Sequence, residues 1–188
     1  MRPVCGPTDA GKMIGPVRIL LVYGGQPSGR TEQLRREVVA GIASAARADD
    51  DGATDAPGTV PGTVPGTAYE LRERHALLAT TDDLLWAQGL LLGTPEHFGY
   101  MSGALKDFFD RSFYPAEART AGLPYGLFVS AGNDGRGTIT AVERIIAGYG
   151  WRAIADPVRV VGDPDEAALA RCRELGGTLI AGLAAGIF

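Results

Sequence analysis

The sequence of 188 residues predicts an α/β fold: a doubly wound, five-stranded parallel sheet in the order 2-1-3-4-5, with helices on both faces. Short, continuously apolar runs alternate along the chain with segments in which apolar residues recur at helical spacing. Continuous rather than alternating hydrophobicity is typical of strands that are buried on both faces. The crossovers between parallel strands are right-handed, and they place the helices on the two faces of the sheet.

The first strand and helix are predicted on either side of a Gly-rich turn. Residues 17–23 form the apolar run, which ends at Gly24 and Gly25. From Thr31 onward, Leu34 and Val38 begin a one-faced helical pattern with charged residues between them.

Residues 49–67 have a different composition, with an acidic cluster followed by a Pro-Gly-Thr repeat. This segment has almost nothing apolar to bury, which predicts a flexible surface insert. Residues 1–16 are interpreted as an N-terminal extension, and residues 17–188 as a single domain. Residues 69–72 are expected to form an edge strand, and residues 82–87 a short helix.

Three further strands are predicted at residues 89–93, 123–130 and 157–161. The first of these leads into a loop at residues 94–99 and then a helix with Met101, Leu105, Phe108 and Phe109 on one face. The second leads into a loop at residues 131–137 and a helix with Ile139, Val142, Ile146 and Tyr149 on one face.

The last precedes a helix for which Asp163 is the predicted N-cap, with Pro164 at its first position and Glu166 at its third.

Three polar, Gly-rich loops are expected at the carboxyl ends of the central strands, where such sheets bind ligands. The first offers a helix N-terminus, hydroxyls and a cation, which suit a phosphate monoester. Each loop alone is also compatible with an ordinary turn, but three at one edge favour a binding site. The candidate residues are Gln26, Ser28, Gly29, Arg30 and Thr31; Thr94, Pro95, Glu96, His97, Phe98 and Gly99; and Ser130, Ala131, Gly132, Asn133, Asp134 and Gly135.

The segment after the third strand carries a family resemblance. Residues 93–111, Gly-Thr-Pro-Glu-His-Phe-Gly-Tyr-Met-Ser-Gly-Ala-Leu-Lys-Asp-Phe-Phe-Asp-Arg, resemble the corresponding segment of the NAD(P)H-dependent FMN reductases and flavodoxin-like quinone reductases. The resemblance extends over about residues 17–183. Two differences stand out: Glu96 and His97 replace a small polar residue and Tyr of many relatives, and Gly25 lies near a position where many have Ser.

This resemblance implies a flavodoxin-like fold that holds FMN between the three loops. The implied activity is transfer of electrons from NAD(P)H through FMN to a quinone or similar small acceptor, with the flavin carrying the chemistry. His97 is a candidate hydrogen-bond donor or general acid. Two other functions remain open: a flavodoxin that carries single electrons, and a flavodoxin-fold binding domain without FMN.

Charge and composition limit the partners. A net charge of −4 does not provide the positive field of a duplex nucleic-acid binder, and it is mild for an acidic electron carrier. Cys5 and Cys172 fit no disulfide or metal motif, and no apolar run is long enough for a membrane span, so a cytoplasmic protein without a metal is expected. The helix after the third strand has surplus apolar side chains, which predict a homodimer or homotetramer: Tyr100, Met101, Phe108 and Phe109.

Overall fold

The computed structural model describes residues 15–47 and 66–188. Residues 1–14 of the predicted N-terminal extension lie outside the described residues. The same holds for residues 48–65, which include most of the predicted Pro-Gly-Thr insert.

The sheet follows the predicted order and confirms the flavodoxin-like, doubly wound arrangement. Its strands run β2-β1-β3-β5-β6, with β4 beside β3 and β7 beside β5. Every pairing is parallel except that of β3 with β4. The strands are β1 Val17–Tyr23, β2 Tyr69–His75, β3 Gly89–His97, β4 Tyr100–Met101, β5 Pro124–Ala131, β6 Arg152–Ala153 and β7 Val158–Val161.

The described strands therefore number seven rather than the predicted five. One addition is β4, which forms because the chain reverses sharply after β3. The other arises because two short segments, β6 and β7, share the position predicted for the fifth strand. The stretch between them contains Pro157, which has no N–H to donate to a strand ladder.

Five helices cover the two faces of the sheet in the part of the chain that the structure describes. Apolar residues of α2, α3 and α4 pack on one face, and those of α1 and α5 on the other. Within β1, Ile19 and Leu21 belong to the α1/α5 core, whereas Leu20 and Val22 belong to the opposite core. The helices are α1 Arg30–Arg47, α2 Thr81–Trp86, α3 Gly103–Ala116, α4 Arg136–Tyr149 and α5 Glu166–Ala184.

Two predicted helix starts were wrong. Met101 lies in β4, and α3 begins only after Ser102, whose hydroxyl accepts a hydrogen bond from the Leu105 N–H. The N-cap of α5 is Asp165 rather than Asp163, because the Asp165 carboxylate accepts from the Ala168 N–H at 2.7 Å. In each case a side-chain acceptor lies close to the N–H groups of the first turn, and this acceptor fixes the boundary.

The four residues that predicted an apolar surplus on α3 do not form an exposed patch. Met101, Phe108 and Phe109 are 2%, 0% and 1% exposed, so they fill the core of this chain. Tyr100 is 41% exposed and does not form a patch with them. These residues do not support self-association, and the homodimer or homotetramer stays a prediction.

No helix within residues 15–47 and 66–188 combines the length and the apolar character that crossing a membrane requires. Nor do these residues contain a group of three or more His, Cys, Asp or Glu side chains that could hold a metal ion.

Glycines bring α1 and α5 unusually close together. A Cβ on Gly41 would lie 1.9 Å from the carbonyl oxygen of Arg173, and a Cβ on Gly176 would lie 2.1 Å from that of Val38. Backbone atoms occupy these positions, so a rotamer change cannot relieve the overlap. The two helices can reach this separation only because both crossing positions lack a side chain.

We therefore expect Gly41→Ala to lower the free energy of unfolding by about 1–3 kcal/mol, despite the higher helix propensity of Ala. Gly103→Ala is the matched control, because a Cβ there meets nothing within 4 Å. Urea unfolding of both variants provides the comparison. Equal stability of Gly41→Ala and the parent chain would show that α1 and α5 are not packed this closely.

Candidate functional site

Three connecting segments meet at the carboxyl edge of the sheet. They follow β1, β3 and β5, which are neighbours in the sheet and run parallel. The first segment is residues 24–31, which comprise the loop after β1 and the first two residues of α1. The second is the hairpin formed by β3 and β4, and the third is residues 130–135, which comprise the end of β5 and the loop that follows. The predicted convergence of these segments is present in the fold.

The loop after β1 is folded tightly against its neighbours. The Gly24 N–H donates to the Gly93 carbonyl at 2.8 Å, and a Cβ on Gly24 would lie 2.1 Å from the Ser102 Oγ. Ser28 has a φ of +66°, a conformation that is costly for a residue with a side chain. Gln26 and Ser28 remain exposed. The loop leads directly into the first turn of α1, whose N–H groups favour an anion.

A buried hydrogen bond joins the first and third segments. The hydroxyls of Thr31 and Ser130 are 2.7 Å apart, and these residues are only 3% and 5% exposed. Both are predicted cofactor-binding residues, and each hydroxyl keeps further hydrogen-bonding capacity beside this bond. Arg30 adds a second link, since its Nη1 donates to the Ala131 carbonyl at 3.4 Å.

Arg30 and Arg35, both on α1, differ in the partners of their charges. Arg35 forms ion pairs with Glu32 and Glu73, and these carboxylates balance its charge. The hydrogen bond from Arg35 lowers the pKa of Glu32 to about 2, against the opposing effect of burial. Arg30, by contrast, donates to a neutral carbonyl oxygen. Arg30 is thus the better candidate to hold an anion at the start of α1.

The predicted loop at residues 94–99 is largely a β-hairpin. β3 extends to His97, which pairs with Tyr100 across a two-residue turn. Phe98 and Gly99 have φ values of +54° and +74°, as a type I′ turn requires. The sequence did not indicate this turn, because its first position usually carries Asn, Asp or Gly rather than Phe.

The base of this hairpin is fixed and its tip is open. Thr94 is fully buried; its hydroxyl donates to the Pro95 carbonyl at 2.9 Å and accepts from the Ser102 N–H at 3.0 Å. At the tip, His97 is exposed and Phe98 is fully exposed. It is unusual for a residue with an exposed aromatic ring to have a backbone at positive φ. Such backbone strain is concentrated at functional sites.

Glu96 connects the hairpin to the third segment. Its carboxylate accepts from the Asn133 N–H at 3.0 Å and from the Gly135 N–H at 3.1 Å. Gly132, Asn133 and Asp134 are exposed, whereas Gly135 is buried at the start of α4. The three segments are thus joined to one another by hydrogen bonds.

Two residues outside the predicted candidates also shape this edge. Ser102 contacts the Gly24 backbone and donates its N–H to Thr94, and Gly137 lies so close to the Gly99 carbonyl oxygen that a Cβ would be 2.4 Å from it. Ser102 was recognisable as a Ser before a helical pattern, which is an N-cap signal. The contact between Gly137 and Gly99 joins residues far apart in sequence, and no local signal indicates it.

The described edge does not present an activated nucleophile. Cys172 is buried among α1 and α5 residues, and burial raises the pKa of its thiol to about 12. A cavity of about 230 Å³ lies elsewhere, between α5 and the residues that lead into β7. Because β7 runs parallel to β5, this cavity lies at the amino end of the strand, away from the three segments.

Known proteins share this architecture. Residues 17–162 match the family model described as NADPH-dependent FMN reductase. The chain belongs to this family. The matched residues include all three segments at the carboxyl edge of the sheet.

Two individual relatives of this FMN reductase family member match over a shorter part of the chain than the family model does. A flavodoxin of Aquifex aeolicus (strain VF5) is 35% identical over 77 residues, which are 41% of this chain and 42% of that protein. The quinone-oxidoreductase QR2 of Triphysaria versicolor is 36% identical over 72 residues, 35% of each chain. The chain thus spans less than half the length of these two relatives. A solved flavodoxin from the domain Archaea has a TM-score of 0.66 at 19% identity, covering 90% of this chain and 99% of that one, and it shares the fold.

The hairpin of this family member allows a direct test of strain. We expect Phe98→Asn to raise the free energy of unfolding by about 0.5–1 kcal/mol, because Asn tolerates positive φ better than Phe. Phe98→Ala is the control, since it removes the ring without favouring positive φ. Urea unfolding distinguishes them, and an Asn variant no more stable than the Ala variant would contradict the turn geometry.

Proposed function

We propose that this chain binds FMN at the carboxyl edge of its sheet and passes electrons from NAD(P)H to a quinone or a similar small acceptor. The observation that carries the proposal is the convergence of the three segments after β1, β3 and β5, linked by Thr31–Ser130 and by Glu96. The description of the family and the name of the quinone-oxidoreductase relative support this activity, whereas the name of the flavodoxin relative supports the electron-carrier alternative.

The residues present fit the phosphate end of FMN. The first turn of α1 offers N–H groups, Ser28 an exposed hydroxyl, and Arg30 a guanidinium group whose neighbour is a neutral carbonyl oxygen. A dianionic phosphate monoester needs this combination of backbone donors and positive charge. The Thr31 hydroxyl pairs with that of Ser130 and orders the loop in this proposal.

The other two segments fit a flat, partly polar ring. The exposed Phe98 ring provides apolar surface, and the backbone at residues 132–135 provides polar groups on a segment with little side-chain bulk. A Cβ on Gly132 would meet nothing within 4 Å, so there is open space beside this segment. In this proposal four further candidates border the ring through their backbone, namely Pro95, Gly99, Asn133 and Asp134. The fully buried Thr94 and Ala131 stabilise the edge instead.

The protein supplies position and electrostatics. Bound FMN would supply the chemistry of hydride acceptance from NAD(P)H and of electron transfer to the acceptor. Thr94 and Ser102 keep the hairpin base rigid, and Arg30 balances charge at the phosphate. The exposed His97 side chain is a candidate hydrogen-bond donor to a bound acceptor. We retain a homo-oligomer in the cytoplasm as part of the proposal.

Absorption spectroscopy tests the proposed function. The purified chain is incubated with FMN, freed of excess by gel filtration, and reduced anaerobically with NADPH or NADH, after which a soluble quinone is added. We expect a retained flavin spectrum that is bleached by a nicotinamide and restored by the quinone.

The other outcomes favour the alternatives. Retained flavin that neither nicotinamide bleaches would indicate an electron carrier of the flavodoxin kind. No retained flavin would contradict FMN binding and leave a cofactor-free binding domain.

Arg30 provides a prediction specific to the phosphate end. We expect Arg30→Gln to weaken FMN binding by roughly 10- to 150-fold, since a charge-assisted hydrogen bond is worth roughly 1.5–3 kcal/mol. Riboflavin, which lacks the phosphate, should bind both proteins equally. Quenching of flavin fluorescence measures both affinities, and Arg47→Gln at the far end of α1 is the control. An equal loss for FMN and riboflavin would place Arg30 away from the phosphate.

A further inference from the structure

Glu96 holds together two parts of the edge that the chain itself does not join. It lies in β3, and its two carboxylate oxygens accept separate hydrogen bonds from the third segment, at Asn133 and Gly135. Each oxygen therefore has a backbone donor.

The position of these donors explains why a carboxylate is favoured there. Gly135 is the N-cap residue of α4; it has a φ of +67° and no side chain of its own to cap the helix. The positive end of a helix favours a negative charge, and free N–H groups there need acceptors. Glu96 supplies charge and acceptors from a different element, and Asp134 accepts from the next N–H, that of Arg136.

The third segment has few other restraints on its exposed side. A Cβ on Gly132 would meet nothing within 4 Å, and Asn133 and Asp134 are exposed. Arg159 donates to the Asp134 carbonyl from the side of β7. Toward the hairpin, the restraints are the Glu96 hydrogen bonds and the close contact of Gly137 with Gly99.

We propose that Glu96 is a positioning residue: its carboxylate holds residues 133–135 against the β3–β4 hairpin and thereby sets the width of the flavin site. This rests on the proposed function, because the two segments that Glu96 joins are those assigned to the flavin ring. In this proposal the positive start of α4 offsets part of the negative charge of the Glu96 carboxylate.

Substitutions of Glu96 separate positioning from a direct charge effect. Glu96→Ala removes both hydrogen bonds, whereas Glu96→Gln keeps one acceptor oxygen and places an amide NH₂ against the other N–H. A positioning role predicts weaker FMN binding in both variants, with a larger loss of affinity in Glu96→Ala than in Glu96→Gln. A free carboxylate beside the flavin would repel the anionic reduced form, so its removal would instead strengthen binding of reduced FMN.

The experiment combines two measurements on the full chain. Amide hydrogen exchange, followed by NMR without FMN, reports on the N–H groups of Asn133 and Gly135. FMN titration, followed by fluorescence quenching, gives the dissociation constant of oxidised FMN. The midpoint potential of bound FMN, compared with that of free FMN, then gives the dissociation constant of the reduced form. Glu143→Gln is the control, because it makes the same charge change at an exposed position of α4.

For Glu96→Ala we expect faster exchange at both amides and FMN binding weakened by about tenfold, as for loss of a charge-assisted hydrogen bond. Glu96→Gln should weaken FMN binding less than Glu96→Ala does. Glu143→Gln should match the parent chain in both amide exchange and FMN affinity. Unchanged exchange in Glu96→Ala, or FMN binding as tight as in the parent chain, would overturn the proposal. Failure of the parent chain itself to bind FMN would instead refute the proposed function, and the role of Glu96 at the flavin with it.

Discussion

The structure depends on the parallel pairing of β1, β3 and β5 at the centre of the sheet. Because these strands run in the same direction, their carboxyl ends share one edge. Their apolar side chains are buried on both faces, so the strands cannot shift in register without exposing the core. This constraint brings together three segments that are remote in sequence, and the remaining features of the site refine how those segments meet.

The refinement consists of polar links between the segments rather than of further apolar packing. The buried Thr31–Ser130 hydrogen bond connects the first segment with the third, and Glu96 connects the hairpin with the third. Buried hydroxyls need partners, and here the partners come from the neighbouring segment. Such links hold the edge in one arrangement before any ligand arrives, which reduces the entropy lost on binding.

Much of the fold followed from the sequence because it depends on local patterns. The apolar runs of β1, β3 and β5 and the helical spacing in α1 and α4 predicted the strand order and the edge where loops converge. Helix starts were less predictable: Ser102 and Asp165 are caps because their oxygens lie near particular N–H groups, a matter of geometry. The hairpin after β3 was missed because Phe98 is atypical for its turn. The pairing of Thr31 with Ser130 spans almost a hundred residues, and no local pattern indicates it.

The central claim is that the carboxyl edge, rather than another part of the surface, binds FMN. Backbone amide chemical shifts recorded during an FMN titration test this most directly. The account predicts shift changes at residues 28–31, at the hairpin turn and at residues 132–135, with little change around Asp156 and Arg171, which line the cavity beside α5. Changes confined to that cavity, or no saturable change at the carboxyl edge, would contradict the account.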